Sequence, residues 1–229
     1  MRVAMNCFAG VALFLLTALA FEFHELSHHF LGWTVCGHLG TVTFTQFEVA
    51  KGCGGGEARV VELFGPVVSM ALAYAGALLV LKRSSLFRFG LIFASYFHLR
   101  FLPALLGGGN DEVDVVRQTR WLHGSSYAVA VILFALALPP LIVAGRALEG
   151  RWKWIVFALA YLLPLPVLAL SDRFDLFLAG PHPRFPALAS VTWLNIPLIV
   201  LIVIVAFTIA LLLIARLLAP SDLIIHLVD

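Results

Sequence analysis

Residues 15–33 read LLTALAFEFHELSHHFLGW, an apolar run that passes without interruption into a cluster of ionisable side chains. The stretch holds no proline, and nothing around FEFHELSHHF breaks a helix. The apolar run that begins at residue 3 therefore predicts a first helix reaching about Leu31. A hydrocarbon core about 30 Å thick needs roughly 20 apolar helical residues, which residues 3–21 supply. Ionisable groups at the end of such a segment are expensive and rarely idle. The stretch thus predicts a membrane helix that carries a site.

The rest of the chain has the composition to match. Of 229 residues 62% are apolar and only 12% charged, with a mean hydropathy of +1.01. Soluble domains carry about 45–50% apolar and roughly 25% charged residues. Disorder and a disulfide scaffold are both excluded. The net charge of +2 contains no polybasic or acidic block, so no nucleic acid partner is expected. The expected partners are the lipid bilayer and a membrane-borne substrate.

Further apolar stretches at 63–81, 89–106, 122–145, 154–171 and 185–215 bring the expectation to six transmembrane helices in an all-α membrane protein. The third holds His98 and Arg100. The first apolar run could be read as a cleaved leader, but its charged n-region is only Arg2, so a retained helix is expected. The long early loop, 34–59, contains TVTFTQFEV, which alternates apolar and polar residues and predicts a strand or short β-hairpin. CGGGE follows as a flexible return. Pro181, Pro183 and Pro186 predict an extended surface loop before the last helix. Cys36 and Cys53 share the early loop and could bridge, although free thiols are the favoured expectation.

His24-Glu25-Leu26-Ser27-His28 is an H-E-x-x-H motif. On a helix, positions i and i+4 share one face, so His24 and His28 can reach one Zn²⁺ ion. Glu25 lies about 100° round from His24, where it can take a proton from a water without ligating the metal. With 8 His and 7 Glu in the chain, chance gives roughly 0.01 such matches, against the motif's physical meaning. His29 is rotated away from the pair and suits a supporting position, as does Glu22 beside Glu25. A catalytic zinc usually has three protein ligands and an open position. Asp111, in GGGNDEVD at 107–114, is the best candidate for the third, because the glycines allow the backbone to bend back. Asp114, Glu112 and His98 are alternatives.

With these motifs in this order, the chain resembles the site-2 protease family of intramembrane zinc metalloproteases. H-E-x-x-H closes the first helix. Gly65-Pro66-Val67-Val68-Ser69 opens the second. Arg100-Phe101-Leu102-Pro103, followed by Asp111, accompanies the third. The resemblance covers about residues 15–116. It implies a three-helix metalloprotease core over 1–120, with three additional transmembrane helices over 121–229 that match no motif. It also implies a multi-pass protein of a prokaryotic cell membrane, one Zn²⁺ on His24, His28 and Asp111, Glu25 as general base, and a transmembrane protein as substrate. Ser69 and Arg100 stand where the family usually has Asn, and Glu112 where it has Gly, which marks a divergent member.

The resemblance makes Ser69, Arg100 and Asn110 candidates for substrate or oxyanion contacts, with Asp114 near the metal. A guanidinium in an apolar span must be paired or wet. Pairing of Arg100 with Asp114 or Glu112 is favoured, since a free cation beside Zn²⁺ would weaken metal binding. The competing function is a catalytically inactive scaffold or metal-binding protein with the same fold, which the presence of a base at Glu25 disfavours. Orientation and oligomeric state stay open. With alternating spans, eight basic residues (Arg2, Lys82, Arg83, Arg88, Arg146, Arg151, Lys153, Arg216) face six (Lys51, Arg59, Arg117, Arg120, Arg173, Arg184). That small bias sends the H-E-x-x-H end outside, whereas the resemblance sends it towards the cytosol.

Overall fold

The computed structural model describes residues 7–83, 86–96, 100–107, 110–147, 164–180 and 182–218. Helices dominate: α1 (Cys7–Cys36), α2 (Gly55–Leu81), α3 (Phe87–Tyr96), α4 (Phe101–Leu105), α5 (Asp111–Thr119), α6 (Ser126–Ala147), α7 (Pro164–Ala179), α8 (Pro186–Ser190) and α9 (Leu198–Leu218). Two antiparallel hairpins of two strands each complete them, β1 (Thr41–Val42) with β2 (Phe47–Glu48) and β3 (Thr192–Trp193) with β4 (Ile196–Pro197). Among the described residues, α2 and α6 are long and apolar enough to cross a membrane. Their outward residues are large and apolar, with Leu78 55% and Val131 69% exposed, a surface suited to lipid and a liability in water.

Several expectations are corrected. Over 89–106 the described residues form α3 through Tyr96 and α4 from Phe101, with Arg100 at the N-cap position of α4, and residues 97–99 lie outside the described residues. The last helix begins at Leu198, not 185. Residues 186–197 instead form α8 and a second hairpin, turned by Leu194 and Asn195 with positive φ. The glycine-rich return is already helical from Gly55, where the Gly54 N–H donates to the Glu57 carboxylate at 3.1 Å. Cys36 and Cys53 are joined by a disulfide with Cα atoms 5.1 Å apart, not free thiols. The bridge ties the end of α1 to the start of α2. Of the span expected at 154–171, residues 154–163 lie outside the described residues.

Two devices bring helices close. Gly76 of α2 and Gly90 of α3 face each other, and a Cβ on either would sit 2.6–2.7 Å from the other's carbonyl oxygen. Small residues that allow such approach are how helices associate where lipid removes the hydrophobic drive. In α6, Pro140 has no N–H to give the Leu136 carbonyl. The Tyr74 hydroxyl of α2 donates to that carbonyl instead, at 3.0 Å.

Apolar packing forms two main clusters. One joins α2, α4, α5 and α6 through Ala73, Ala104, Val113, Val129 and Leu133. The other joins α1, the first hairpin, α7 and α9 around Val42, Phe44, Leu178 and Val200. Phe44 is 1% exposed and meets Phe174 and Phe207 edge to face, at 5.6 and 5.9 Å between centroids. The hairpin is therefore held from within, and its Phe47 reaches towards α1.

Candidate metal centre

The site forms where α1, α2 and the start of α5 meet. Helical spacing sets His24 and His28 on one face of α1, and both are almost wholly buried. α2 lies against them through Gly65, where a Cβ would collide with the His28 Nε2 and with Cε1 of both rings. Only glycine leaves room for the imidazoles there. Pro66 beside it cannot donate to the Glu62 carbonyl, which loosens the helical turn. In that turn, the Val61 carbonyl accepts a hydrogen bond from His28 Nδ1 at 2.6 Å.

The partner of His28 fixes where that ring carries its proton. A carbonyl only accepts, so His28 carries its proton on Nδ1 and its Nε2 has a free lone pair. His24 Nε2 lies 3.1 Å from both a donor, Arg100 Nη1, and an acceptor, Asp111 Oδ2. His24 Nδ1 shares a hydrogen bond with the Ser69 hydroxyl at 2.9 Å. This outer hydrogen bond from each ring is the arrangement that orients metal-ligating histidines.

The two Nε2 atoms are 3.1 Å apart, and Asp111 Oδ2 lies 3.1 Å from one and 3.5 Å from the other. Two imidazole nitrogens and a carboxylate oxygen thus converge, a set that a cation satisfies. The residues present fit a metal: His24, His28 and Asp111 could hold one ion, and three protein donors leave further coordination positions open. Partial burial alone would push the Asp111 carboxyl up. Contact with His24 and the Arg100 guanidinium outweighs it and holds the group well below the usual carboxylate range, so it is the anion a metal needs.

Around these three the other candidates fall into place or away. Glu25 is half-buried on α1 beside His24. Arg100 forks onto Glu112, with Nε 2.7 Å from Oε1 and Nη2 2.9 Å from Oε2, while Nη2 also donates to Asp111 at 2.5 Å. Asn110 turns its amide inward, donating to Glu112 Oε2 at 2.9 Å and to the Arg100 carbonyl at 3.2 Å. Asp114, expected near the metal, is instead exposed and 3.8 Å from Arg117, three residues further along the axis of α5. His29 is fully buried, edge-on to Phe47 at 6.4 Å. Glu22 is buried, and its carboxylate oxygens find no hydrogen-bond partner among the described residues. His98 lies outside the described residues.

Three contributors had weak or no sequence signal. The Val61 carbonyl is backbone and leaves no trace in a motif. Phe47 stacks on the His28 ring at 5.4 Å with an interplanar angle of 11°; its place in TVTFTQFEV marked a strand but not a neighbour. Asp175 accepts hydrogen bonds from the Phe44 N–H at 2.8 Å and the Thr43 and Thr45 hydroxyls at 2.6 and 3.2 Å. It thereby anchors the hairpin that presents Phe47. The charged run Asp172-Arg173-Phe174-Asp175 within an apolar stretch was the available signal, and it does not single out Asp175.

No family model matches this chain, and neither the curated proteins nor the solved structures contain a match to it.

Proposed function

We propose that this protein is a zinc metallopeptidase of the membrane, which hydrolyses peptide bonds of membrane-embedded or membrane-adjacent polypeptides. The observation that carries this reading is the convergence of two imidazole nitrogens and one carboxylate oxygen at the helix turn that also carries Glu25. Zinc held there supplies Lewis acidity and lowers the pKa of a water to about 7. His24, His28 and Asp111 orient the ion, with Ser69 and the Val61 carbonyl fixing the rings. Glu25 takes the proton of the attacking water and returns it to the leaving amine. Phe47 shields one face of His28 from solvent.

The same reading has the chain cross the bilayer six times, as a multi-pass membrane protein. Support comes from the apolar outer faces of α2 and α6, the glycine crossing of α2 and α3, and the apolar stretch of α9. A substrate helix hides its peptide bonds in its own hydrogen bonds and must unwind to be cut. The first hairpin offers an edge on which an extended segment could pair.

Glu25→Gln tests the reading. It should abolish cleavage of a transmembrane peptide by detergent-purified protein and leave zinc at one ion per chain. Turnover above about a tenth of wild type would remove Glu25 from the role of base, whose loss normally costs 10²–10⁴-fold. One observation favours a second reading, an inactive metal-binding scaffold: the Arg100 guanidinium lies on two of the metal's own ligands. Stoichiometric zinc with no cleavage of any membrane peptide would select it.

A further inference from the structure

Two carboxylates, not one, stand at the start of α5 within reach of a single guanidinium nitrogen. Arg100 Nη2 donates to both Asp111 Oδ2 and Glu112 Oε2. Glu112 is 7% exposed, and both of its oxygens are engaged, one by Arg100 Nε and the other by Arg100 Nη2 and Asn110 Nδ2. A bidentate guanidinium–carboxylate pair of this kind is among the stronger charge-assisted contacts. Without it, a buried carboxylate next in sequence to a metal ligand would turn to the strongest cation available. A zinc site with four protein ligands is closed and structural, whereas a catalytic one keeps a position open.

We propose that Arg100, helped by Asn110, is a positioning residue that sequesters Glu112 and so keeps the metal at three protein ligands. The inference rests on His24, His28 and Asp111 as the metal site. It accounts for a cation being tolerated so near a divalent ion: the positive charge of Arg100 is balanced by Glu112, and the lone pairs of Glu112 are occupied by Arg100. The carboxylate is thereby withheld from the centre, although Arg100 also touches His24 and Asp111. It also gives the Arg100–Glu112 pair a role that neither residue could have alone.

The test measures zinc affinity of the full-length purified protein by competition with a chelator, and coordination by the visible spectrum of the cobalt-loaded protein. In Arg100→Gln, Glu112 is released as a fourth ligand, and zinc should bind about 10–100-fold more tightly, the range by which outer partners tune metal sites. Its cobalt spectrum should no longer respond to added azide, whereas the wild-type spectrum should. In Arg100→Gln/Glu112→Gln, the additional ligand is gone, so affinity should fall back towards wild type and the azide response should return. Weaker zinc binding in Arg100→Gln that the second substitution does not reverse would overturn the proposal and make Arg100 a mere support for Asp111. Unchanged affinity in both variants would overturn it as well, with the metal site intact. No zinc or cobalt bound by any form would overturn the metal site and this proposal together. If Arg100→Gln does not fold, Arg100→Lys, which loses the fork but keeps the charge, should tighten zinc by a smaller factor. Unchanged or weaker binding there overturns the proposal.

Discussion

At the histidine pair, geometry leaves little slack, and single atoms decide the outcome. Gly65 contributes only the absence of a Cβ, yet a methyl group there would occupy the space of both imidazoles. Gly65→Ala should raise the helix propensity of α2 slightly while displacing the ring nitrogens. Zinc content by elemental analysis is expected to fall by at least about tenfold with helical content by circular dichroism unchanged. Zinc retained at one ion per chain would show that α2 can shift to admit the methyl. The two aspartates of α5 should separate in the same assay. Asp111→Asn removes a donor that lies 3.1 Å from His24 Nε2 and should cost more than about 100-fold in affinity, beyond the usual effect of an outer partner. Asp114→Asn, on the exposed side with Arg117, should cost little. The reverse order would move the third ligand one turn along the helix.

Among the elements, the first hairpin is too short to be stable alone, since two-stranded hairpins are marginal in water. Its order comes from below, where Asp175 of α7 accepts from one backbone N–H and two hydroxyls of the turn, and where Val42 and Phe44 are buried against α9. Asp175→Ala leaves those donors unpaired and should destabilise by about 1–3 kcal/mol. Because Phe47 stacks on His28 through this hairpin, the same variant should also loosen the site. Hydrogen exchange at residues 41–48 is the direct measurement, and protection there equal to wild type would free the hairpin from Asp175. A helix with no motif thus acts on the site through an intervening element.

For the whole molecule, the Cys36–Cys53 bridge closes a segment with a sequence separation of 17 around the hairpin, joining the helix of the histidines to the helix of Gly65. Closing a loop of about that length is worth about 3 kcal/mol in the chain-entropy account. Cys36→Ser/Cys53→Ser should therefore unfold at a lower temperature than the oxidised protein and lose all sensitivity to reductant. A melting temperature unchanged by the substitutions or by dithiothreitol would leave the bridge without a stabilising role. Disulfides persist in oxidising compartments, so the loop is expected on the extracytoplasmic side, where the six alternating spans proposed above, with their eight-to-six distribution of basic residues, would also send it. After reduction, a membrane-impermeant maleimide should label these cysteines in intact cells. Labelling only after permeabilisation would put the metal end in the cytosol.

What the sequence by itself determined lies in periodicity and local chemistry. Helical spacing alone puts His24 and His28 on one face, the apolar excess sets the helical class, and alternation in TVTFTQFEV marks the first hairpin. These are properties of residues close in sequence, and a fixed rise and turn per residue makes them legible. The tertiary structure alone decided everything that depends on distant segments meeting. It separated Asp111 from Asp114, because the direction of α5 sets which carboxylate faces α1. It paired Arg100 with Glu112, brought the Val61 carbonyl to His28, and tied Asp175 to a turn some 130 residues away. It joined two cysteines that composition left open and turned residues 192–197 into a second hairpin. Such pairings are chosen by packing, where burial makes an unpaired charge or donor costly, and no local pattern records which partner will satisfy it.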